Sequence, residues 1–469
     1  MQVRTRIEPA PSGSIHVGNA RTALFNWLFA RRHGGAFVLR IADTDAKRAT
    51  EENYRGVLED MKWLGLNWDE GPEVGGDRGP YRQSERFDRY RIWARRLVEE
   101  GFAYEDHSSA EDVDEERELA RAQGRRPDHR GVATRSRPGQ NAPSIRFIVP
   151  EDRTITFHDA VLGEVSTDLG RTPDFVILRA DGTPTYMLAV TVDDVEMGIT
   201  HIIRGNDLAA STPRQLLLRE AMGITDLPVF GHLPLIVDDK GKPLSKRWGD
   251  VSVGAYREQG FLPEAMLNYL ALLGWSLDDH TNVFSMDEAI AAFDLERVNK
   301  NPAAFDVTKL EWINGSHIRE MGATDVAERL VAFCVAEGLP ADTPEGRAKL
   351  EAVTPLLTER MKRLTEAPPM IRFLFGPVEP DDKAAKVLQG QEGYLAEVAS
   401  SLEALEKWTT ANIEGALRSL ADRRQLKPKQ AFQPVRAAVT GTLVSPPLFE
   451  SLEILGRDET LARLRRVAE

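Results

Sequence analysis

Two short stretches, far apart in the chain, carry residue types suited to handling phosphate. The first is Pro11-Ser12-Gly13-Ser14-Ile15-His16-Val17-Gly18-Asn19, between an alternating strand pattern and a helical one. A helix start presents backbone N–H groups with no partner in their own helix, and these attract phosphate. An imidazole placed there can donate a hydrogen bond to a phosphate oxygen as its charge develops. Gly18 lets a flat ring such as adenine come close to the backbone. The second stretch, Gly241-Lys242-Pro243-Leu244-Ser245-Lys246-Arg247, is a Gly- and Pro-punctuated loop after an apolar strand pattern. Lys246 and Arg247 offer cations on long side chains, suited to neutralising a triphosphate while pyrophosphate leaves. Alone, the first would pass for an ordinary strand–helix turn and the second for a solvated basic turn. At the two ends of one split nucleotide fold, they point to chemistry on a nucleotide's phosphates.

The elements that must hold these residues follow from the spacing of apolar positions. Val3, Thr5 and Ile7 alternate with Arg4 and Arg6, as in a short strand. Ala20, Ala23, Leu24, Trp27 and Leu28 share one face of a helix, which Gly34-Gly35 stops, and Ala36-Phe37-Val38-Leu39-Arg40-Ile41 reads as a second, buried strand. Strand, helix, strand implies a parallel sheet with a right-handed crossover. A mixed region with short strand patterns at 144–149, 153–158 and 174–178 interrupts that sheet, which suggests an inserted domain. The nucleotide-fold pattern resumes near Thr185, with a further strand over 228–237. Beyond Gly274 the apolar spacing turns helical and Pro-containing joints divide the segments.

The chain has 469 residues, about three domains' worth at ~150 residues each. A net charge of −13 argues against a blanket basic surface, though local patches decide nucleic-acid binding. One cysteine, Cys334, rules out an internal disulfide and a cysteine-rich zinc ribbon. The start Met1-Gln2-Val3-Arg4-Thr5-Arg6 is polar, unlike a signal peptide, and no stretch of about 18 apolar residues is present. A cytoplasmic, multi-domain protein without a membrane span is expected.

Taken with their neighbours, these stretches resemble the class I aminoacyl-tRNA synthetases, and within them the bacterial glutamyl-tRNA synthetases. His16-Val17-Gly18-Asn19 is similar to the family's HIGH signature, and Pro243-Leu244-Ser245-Lys246-Arg247 to its KMSKS loop. The resemblance runs through Gly79-Pro80-Tyr81-Arg82-Gln83-Ser84-Glu85-Arg86, Asp181-Gly182-Thr183-Pro184-Thr185-Tyr186, Val192-Asp193-Asp194 and Leu267–Trp275. It implies an α/β fold: a Rossmann-like parallel sheet with an inserted α+β acceptor-binding domain and an all-α anticodon-binding region. The expected divisions are 1–79 and 186–240 for the two catalytic halves, 80–185 for the insertion, 241–320 for the signature loop and stem contact, and 321–469 for the helical region.

The resemblance also implies the reaction. L-glutamate attacks the α-phosphorus of ATP, and the terminal ribose of tRNA(Glu) then takes the glutamyl group. Both steps are mainly positioning and charge stabilisation. His16 and Lys246 are expected to stabilise the reacting phosphates, with Pro11, Gly13, Gly18, Asn19, Ser245 and Arg247 completing the ATP site. Magnesium is expected with ATP, although no set of protein metal ligands is visible. Arg6 and Arg204 match the substrate-binding arginines, whose planar forks suit carboxylates, and Tyr186 matches the pocket tyrosine.

The chain departs from the family pattern at several positions. Family members usually read R-F-A-P-S-P-T-G where this chain has Arg6-Ile7-Glu8-Pro9-Ala10-Pro11-Ser12-Gly13, and R-I-E-D-T-D where it has Arg40-Ile41-Ala42-Asp43-Thr44-Asp45. Ala10 removes a hydroxyl that would help orient the amino acid. Ala42 removes the carboxylate that holds the substrate's ammonium group. Both Glu8 and Ala42 follow the carboxyl ends of neighbouring strands, where open α/β sheets bind ligands. The expectation is that Glu8 supplies the missing charge. Asp45 matches a position used near the tRNA's terminal nucleotide. Milder departures are Pro243, Trp248 and Val190, the last replacing a possible amide.

On the tRNA side, six basic residues and one acid fall between Arg418 and Arg436, Arg423 and Lys427 among them. The run Thr358-Glu359-Arg360-Met361-Lys362-Arg363 offers Arg360 and Lys362 for unstacked anticodon bases. The alternatives are a relaxed form that also charges tRNA(Gln), and a paralogue with altered amino-acid specificity or lost catalysis that only binds tRNA. A glutaminyl-tRNA synthetase would have a β-barrel C-terminal part, where this chain reads helical. The shorter tRNA-queuosine glutamylating paralogue lacks the anticodon region that the length here supplies. The family expectation is a monomer.

Overall fold

Thr5, Arg6 and Ile7 are all buried, so the first strand, β1 (Arg4–Ile7), is covered on both faces as strands of a parallel sheet are. It pairs in parallel with β2 (Ala36–Leu39), in register from Arg4↔Ala36 to Ile7↔Leu39. Between them runs α1 (Val17–Arg32), tied to the sheet by Thr5 Oγ1 donating to the Asn26 carbonyl and Asn26 Nδ2 donating to the Ile203 carbonyl. In this computed structural model of the protein, residues 2–45, 49–136, 142–244 and 251–468 are described.

After α2 (Glu51–Trp63), capped by Thr50, the chain passes through α3 (Phe87–Glu99), β3 (Ala103–Asp106), α4 (Ala110–Ala122), α5 (His129–Arg135) and β4 (Ser144–Phe147). There follow β5 (Thr154–Asp159), β6 (Gly163–Asp168), β7 (Phe175–Leu178), α6 (Tyr186–Glu196), β8 (His201–Gly205), α7 (Thr212–Ala221) and β9 (Val229–Leu233). β3, β4 and β7 form an antiparallel sheet of their own. The hairpin β5–β6 instead joins the parallel pair β8–β9, with Asp159 opposite Phe230. The N–H of Thr200, just before β8, donates to the Arg4 carbonyl at 3.0 Å, bringing β8 beside β1.

Two differences from the sequence reading have plain causes. The strand expected over 228–237 is broken at Pro234, which lacks a ladder donor, into β9 and β10 (Ile236–Val237). β6 goes unread because none of its residues is buried and it carries no apolar alternation.

The chain divides into two units, residues 1–256 with 266–307, and residues 257–265 with 308–469. Among the described residues the second is helical throughout. Its core joins Leu395, Val398 and Leu402 to Ile413, Leu417, Val435, Leu452 and Leu464. Its helix Pro428–Thr440 ends at Gly441, whose φ of 72° is the left-handed cap conformation glycine adopts at low cost.

Candidate active site

His16 is the N-cap of α1: its Nδ1 accepts the Gly18 N–H at 3.0 Å. A neutral imidazole that accepts through Nδ1 carries its proton on Nε2, so the hydrogen bond fixes His16 as an Nε2–H donor. A Cβ on residue 18 would stand 3.2 Å from His16 Nδ1, so Gly18 gives the cap its room. Gly13 sits at φ 125°, where glycine is needed for the chain to turn out of β1. Pro11 is buried in that turn, while Asn19 is exposed.

The segment is held from two sides. Ser14 Oγ donates to Asp60 Oδ2 at 2.5 Å, the Ile15 N–H donates to the same oxygen at 2.8 Å, and Ser14 Oγ accepts the Gly254 N–H at 2.9 Å. The Val17 N–H donates to the Val251 carbonyl, and the Val253 N–H to the Ile15 carbonyl. Residues 251–254 therefore run against 14–17. At the other end of the signature loop, the Leu244 N–H donates to the Ile236 carbonyl at 3.0 Å. Ser245, Lys246, Arg247 and Trp248 lie outside the described residues. The described residues that flank the stretch, Leu244 and Val251, lie against β10 and beside His16. Asp60 was not singled out in the sequence; an acid inside a helix's buried face was the available signal.

The amino-acid pocket is built differently. Arg6 is 1% exposed, and its Nε and Nη2 donate to Asp194 Oδ1 and Oδ2 at 3.0 and 3.3 Å. Arg40 Nη2 donates to Asp194 Oδ1 at 2.9 Å and to Glu8 Oε2, while Arg40 Nε lies 3.5 Å from Asp193 Oδ2. Glu8 Oε1 stands 3.6 Å from Arg6 Nη2. Arg6, Arg40, Asp194 and Glu8 thus close a ring of ion pairs at the end of β1. Burial would raise the Asp194 carboxyl, but Arg6, Arg40 and Arg219 outweigh it and hold the group at about 2. Burial would likewise lower Arg6, yet Asp194 and Glu8 keep it above its ordinary range.

Arg204 has a different environment. Its Nε donates to His232 Nε2 at 3.1 Å, its Nη2 to Thr212 Oγ1 at 2.8 Å and its Nη1 to the Tyr186 hydroxyl at 3.4 Å. Burial pushes His232 below its ordinary value, and its Nδ1 meets Asp159 Oδ2 at 2.5 Å. A neutral His232 therefore donates through Nδ1 to Asp159 and accepts Arg204 through Nε2. Among the described residues no carboxylate bonds Arg204, so its buried charge is met by neutral acceptors alone. Burial pushes the Tyr186 hydroxyl up to about 12, with Glu8 adding to the rise and Arg204 opposing it.

Arg6, Glu8, Tyr186 and Arg204, expected together from the sequence, are together here. Ala42 stands alongside, its N–H donating to the Pro9 carbonyl at 3.1 Å, and Ala10 is exposed. The sequence reading gave no role to Arg40, Asp193, Asp194, Asp159 or His232. For Asp193-Asp194 a signal was present: two acids directly after the apolar run Met187–Val192, both buried, require cations. For Asp159 and His232 none was, because they lie on strands from different parts of the chain. Asp45, exposed, lies two residues past Asp43, which is buried and receives Arg82 Nε at 2.9 Å.

In the helical unit the basic candidates divide. Arg360 Nη1 donates to the Ser445 carbonyl at 3.4 Å, and Arg436 Nη1 donates to the Ser445 and Pro446 carbonyls. Lys362 Nζ lies 3.8 Å from Glu311 Oε2. Arg423 and Lys427 are exposed at the junction of helices Thr410–Arg423 and Pro428–Thr440.

Residues 2–312 match the catalytic domain of class I tRNA synthetases (E and Q), and residues 325–468 match an anticodon binding domain. The chain is 47% identical over 486 residues to a glutamate–tRNA ligase of Saccharopolyspora erythraea, covering 99% of this chain and 95% of that one. It is 47% identical over 482 residues to that of a Nocardioides species, covering 99% and 98%. Its fold is similar to the crystal structure of a glutamate tRNA ligase from Elizabethkingia meningosepticum in complex with its amino acid. That match has a TM-score of 0.86 and 32% identity over 100% of this chain and 99% of the other.

Proposed function

This chain belongs to the glutamate branch of the class I tRNA synthetases, an ATP-dependent glutamate–tRNA ligase, and we propose how its residues divide that reaction. The observation that carries the reading is an imidazole held as an Nε2–H donor at the start of α1, with the end of the signature loop hydrogen bonded to the same segment.

ATP lies with its adenine against Gly18 and its phosphates over the α1 N-terminus, in the site formed by Pro11, Gly13, His16, Asn19, Ser245, Lys246 and Arg247. The α-carboxylate of glutamate attacks the α-phosphorus, forming a new O–P bond as the bond to the bridging oxygen of pyrophosphate breaks. Charge builds on the non-bridging and leaving oxygens. His16 Nε2–H and the Lys246 ammonium meet that charge; neither becomes covalently attached. The terminal ribose hydroxyl of tRNA then attacks the glutamyl carbonyl and AMP leaves. Magnesium accompanies the nucleotide.

Arg204, a buried cation bonded among the described residues to neutral groups, and Tyr186 receive a carboxylate of glutamate, with Arg6 lining the same pocket. tRNA(Glu) is the partner. Asp45 lies toward its acceptor end, and Arg360, Lys362, Arg423 and Lys427 lie toward the anticodon stem and loop. The enzyme works as a cytoplasmic monomer. Charging of purified tRNA(Glu) and tRNA(Gln) with each of the twenty amino acids and ATP tests this reading. Glutamyl-tRNA(Glu) is the expected product; charging with a different amino acid, or none, contradicts it.

A further inference from the structure

We infer that Glu8 receives the ammonium group of the bound amino acid, and that Glu8 and Arg204 together fix which way the amino acid lies. This rests on the ligase reading and deepens it. An α-amino acid brings a cation and an anion on one carbon. Beside so many buried charges the ammonium needs an acid with an acceptor site still open, because a buried charge without a partner costs too much.

The nearby acids can be taken in turn. Both oxygens of Asp194 are occupied by Arg6 and Arg40, and its side chain is 2% exposed. Asp193 is closed off by Gln83, Arg86 and Tyr90. Asp159 is committed to His232 and to the N–H groups of Val161 and Leu162. Glu196 holds Arg86, Arg89 and Trp93 at the far end of α6. Glu8 is the exception. Arg40 takes its Oε2, but Oε1 has only the 3.6 Å approach of Arg6, and the side chain keeps 13% of its surface open. Its charge acts on both Tyr186 and Arg204. Position 42, hydrogen bonded through its N–H to Pro9, adds only a methyl group. Of these acids Glu8 keeps an oxygen open, and among the described residues Arg204 bonds no carboxylate, a pairing that matches the ammonium and a carboxylate of the amino acid.

The test uses the full-length enzyme with tRNA and ATP, L-glutamate as substrate, and glutarate as an inhibitor that keeps both carboxylates but has no ammonium. Wild-type charging with glutamate establishes the underlying reading before any variant is compared. Glu8→Gln is expected to raise the KM for glutamate about 100-fold, the loss typical of truncating one partner of a buried charge pair. The KM for ATP should stay unchanged, and glutarate should bind as well as before or more tightly. Equal weakening of glutamate and glutarate would mean that Glu8 only supports Arg6 and Arg40, and would overturn the inference. So would a KM for glutamate within about threefold of wild type, under 1 kcal/mol. Should Glu8→Gln fail to fold, Glu8→Ala combined with Ala42→Glu returns a carboxylate from the neighbouring strand. Recovery of glutamate over glutarate supports the inference, and a folded double variant without that preference, or one that also fails to fold, contradicts it.

Discussion

The two ends of the catalytic pocket are made by different means. At the phosphate end, His16 and Gly18 meet across two residues of sequence, and a helix cap does the orienting. At the amino-acid end, Arg6 reaches an acid 188 residues away and His232 one 73 residues away, all buried. A cap leaves its side chain largely independent of the core. A closed ring of buried ion pairs does not, because removing any member strands the others. Chemistry and stability should therefore separate at one end and be inseparable at the other.

The largest effect expected from this contrast is at Arg40. Arg40→Ala leaves Glu8, Asp193 and Asp194 short of a cation and should cost about 3–5 kcal/mol of stability. In a thermal melt that is a drop of roughly 10 °C, with activity lost along with the fold. His16→Asn should do the reverse. Asparagine is as good an N-cap, so Tm should hold, while the rate of glutamate-dependent charging falls about 10²–10³-fold for want of the Nε2–H donor. Equal losses of Tm in the two variants would erase the distinction.

A smaller effect sharpens it through pH. Because Asp194 is held at about 2, its contribution is complete above the ordinary aspartate value near 3.8 and is lost as pH falls from there toward 2. Melting temperatures measured across that window should fall less steeply for Asp194→Asn than for wild type. The slope of His16→Asn should match wild type.

The same contrast explains what could be read without coordinates. His16 and Gly18 were legible because their partnership is local: a helix start, a ring, a missing Cβ. The strand–helix–strand opening was legible because apolar spacing records burial. The ring at the amino-acid end is written in pairs such as Arg6–Asp194 and Arg40–Asp194, and no periodicity connects residues brought together by sheet order. Arg6, Tyr186 and Arg204 were found only through resemblance, which carried their positions but not their different electrostatic situations.

The claim that matters most is that one nucleotide's phosphates bring His16 and Lys246 together. A crystal structure with ATP bound addresses it directly. Hydrogen-bonding distances from His16 Nε2 and Lys246 Nζ to oxygens of the same triphosphate are the predicted result. A nucleotide bound with its phosphates away from the start of α1, or touched by neither side chain, would contradict it.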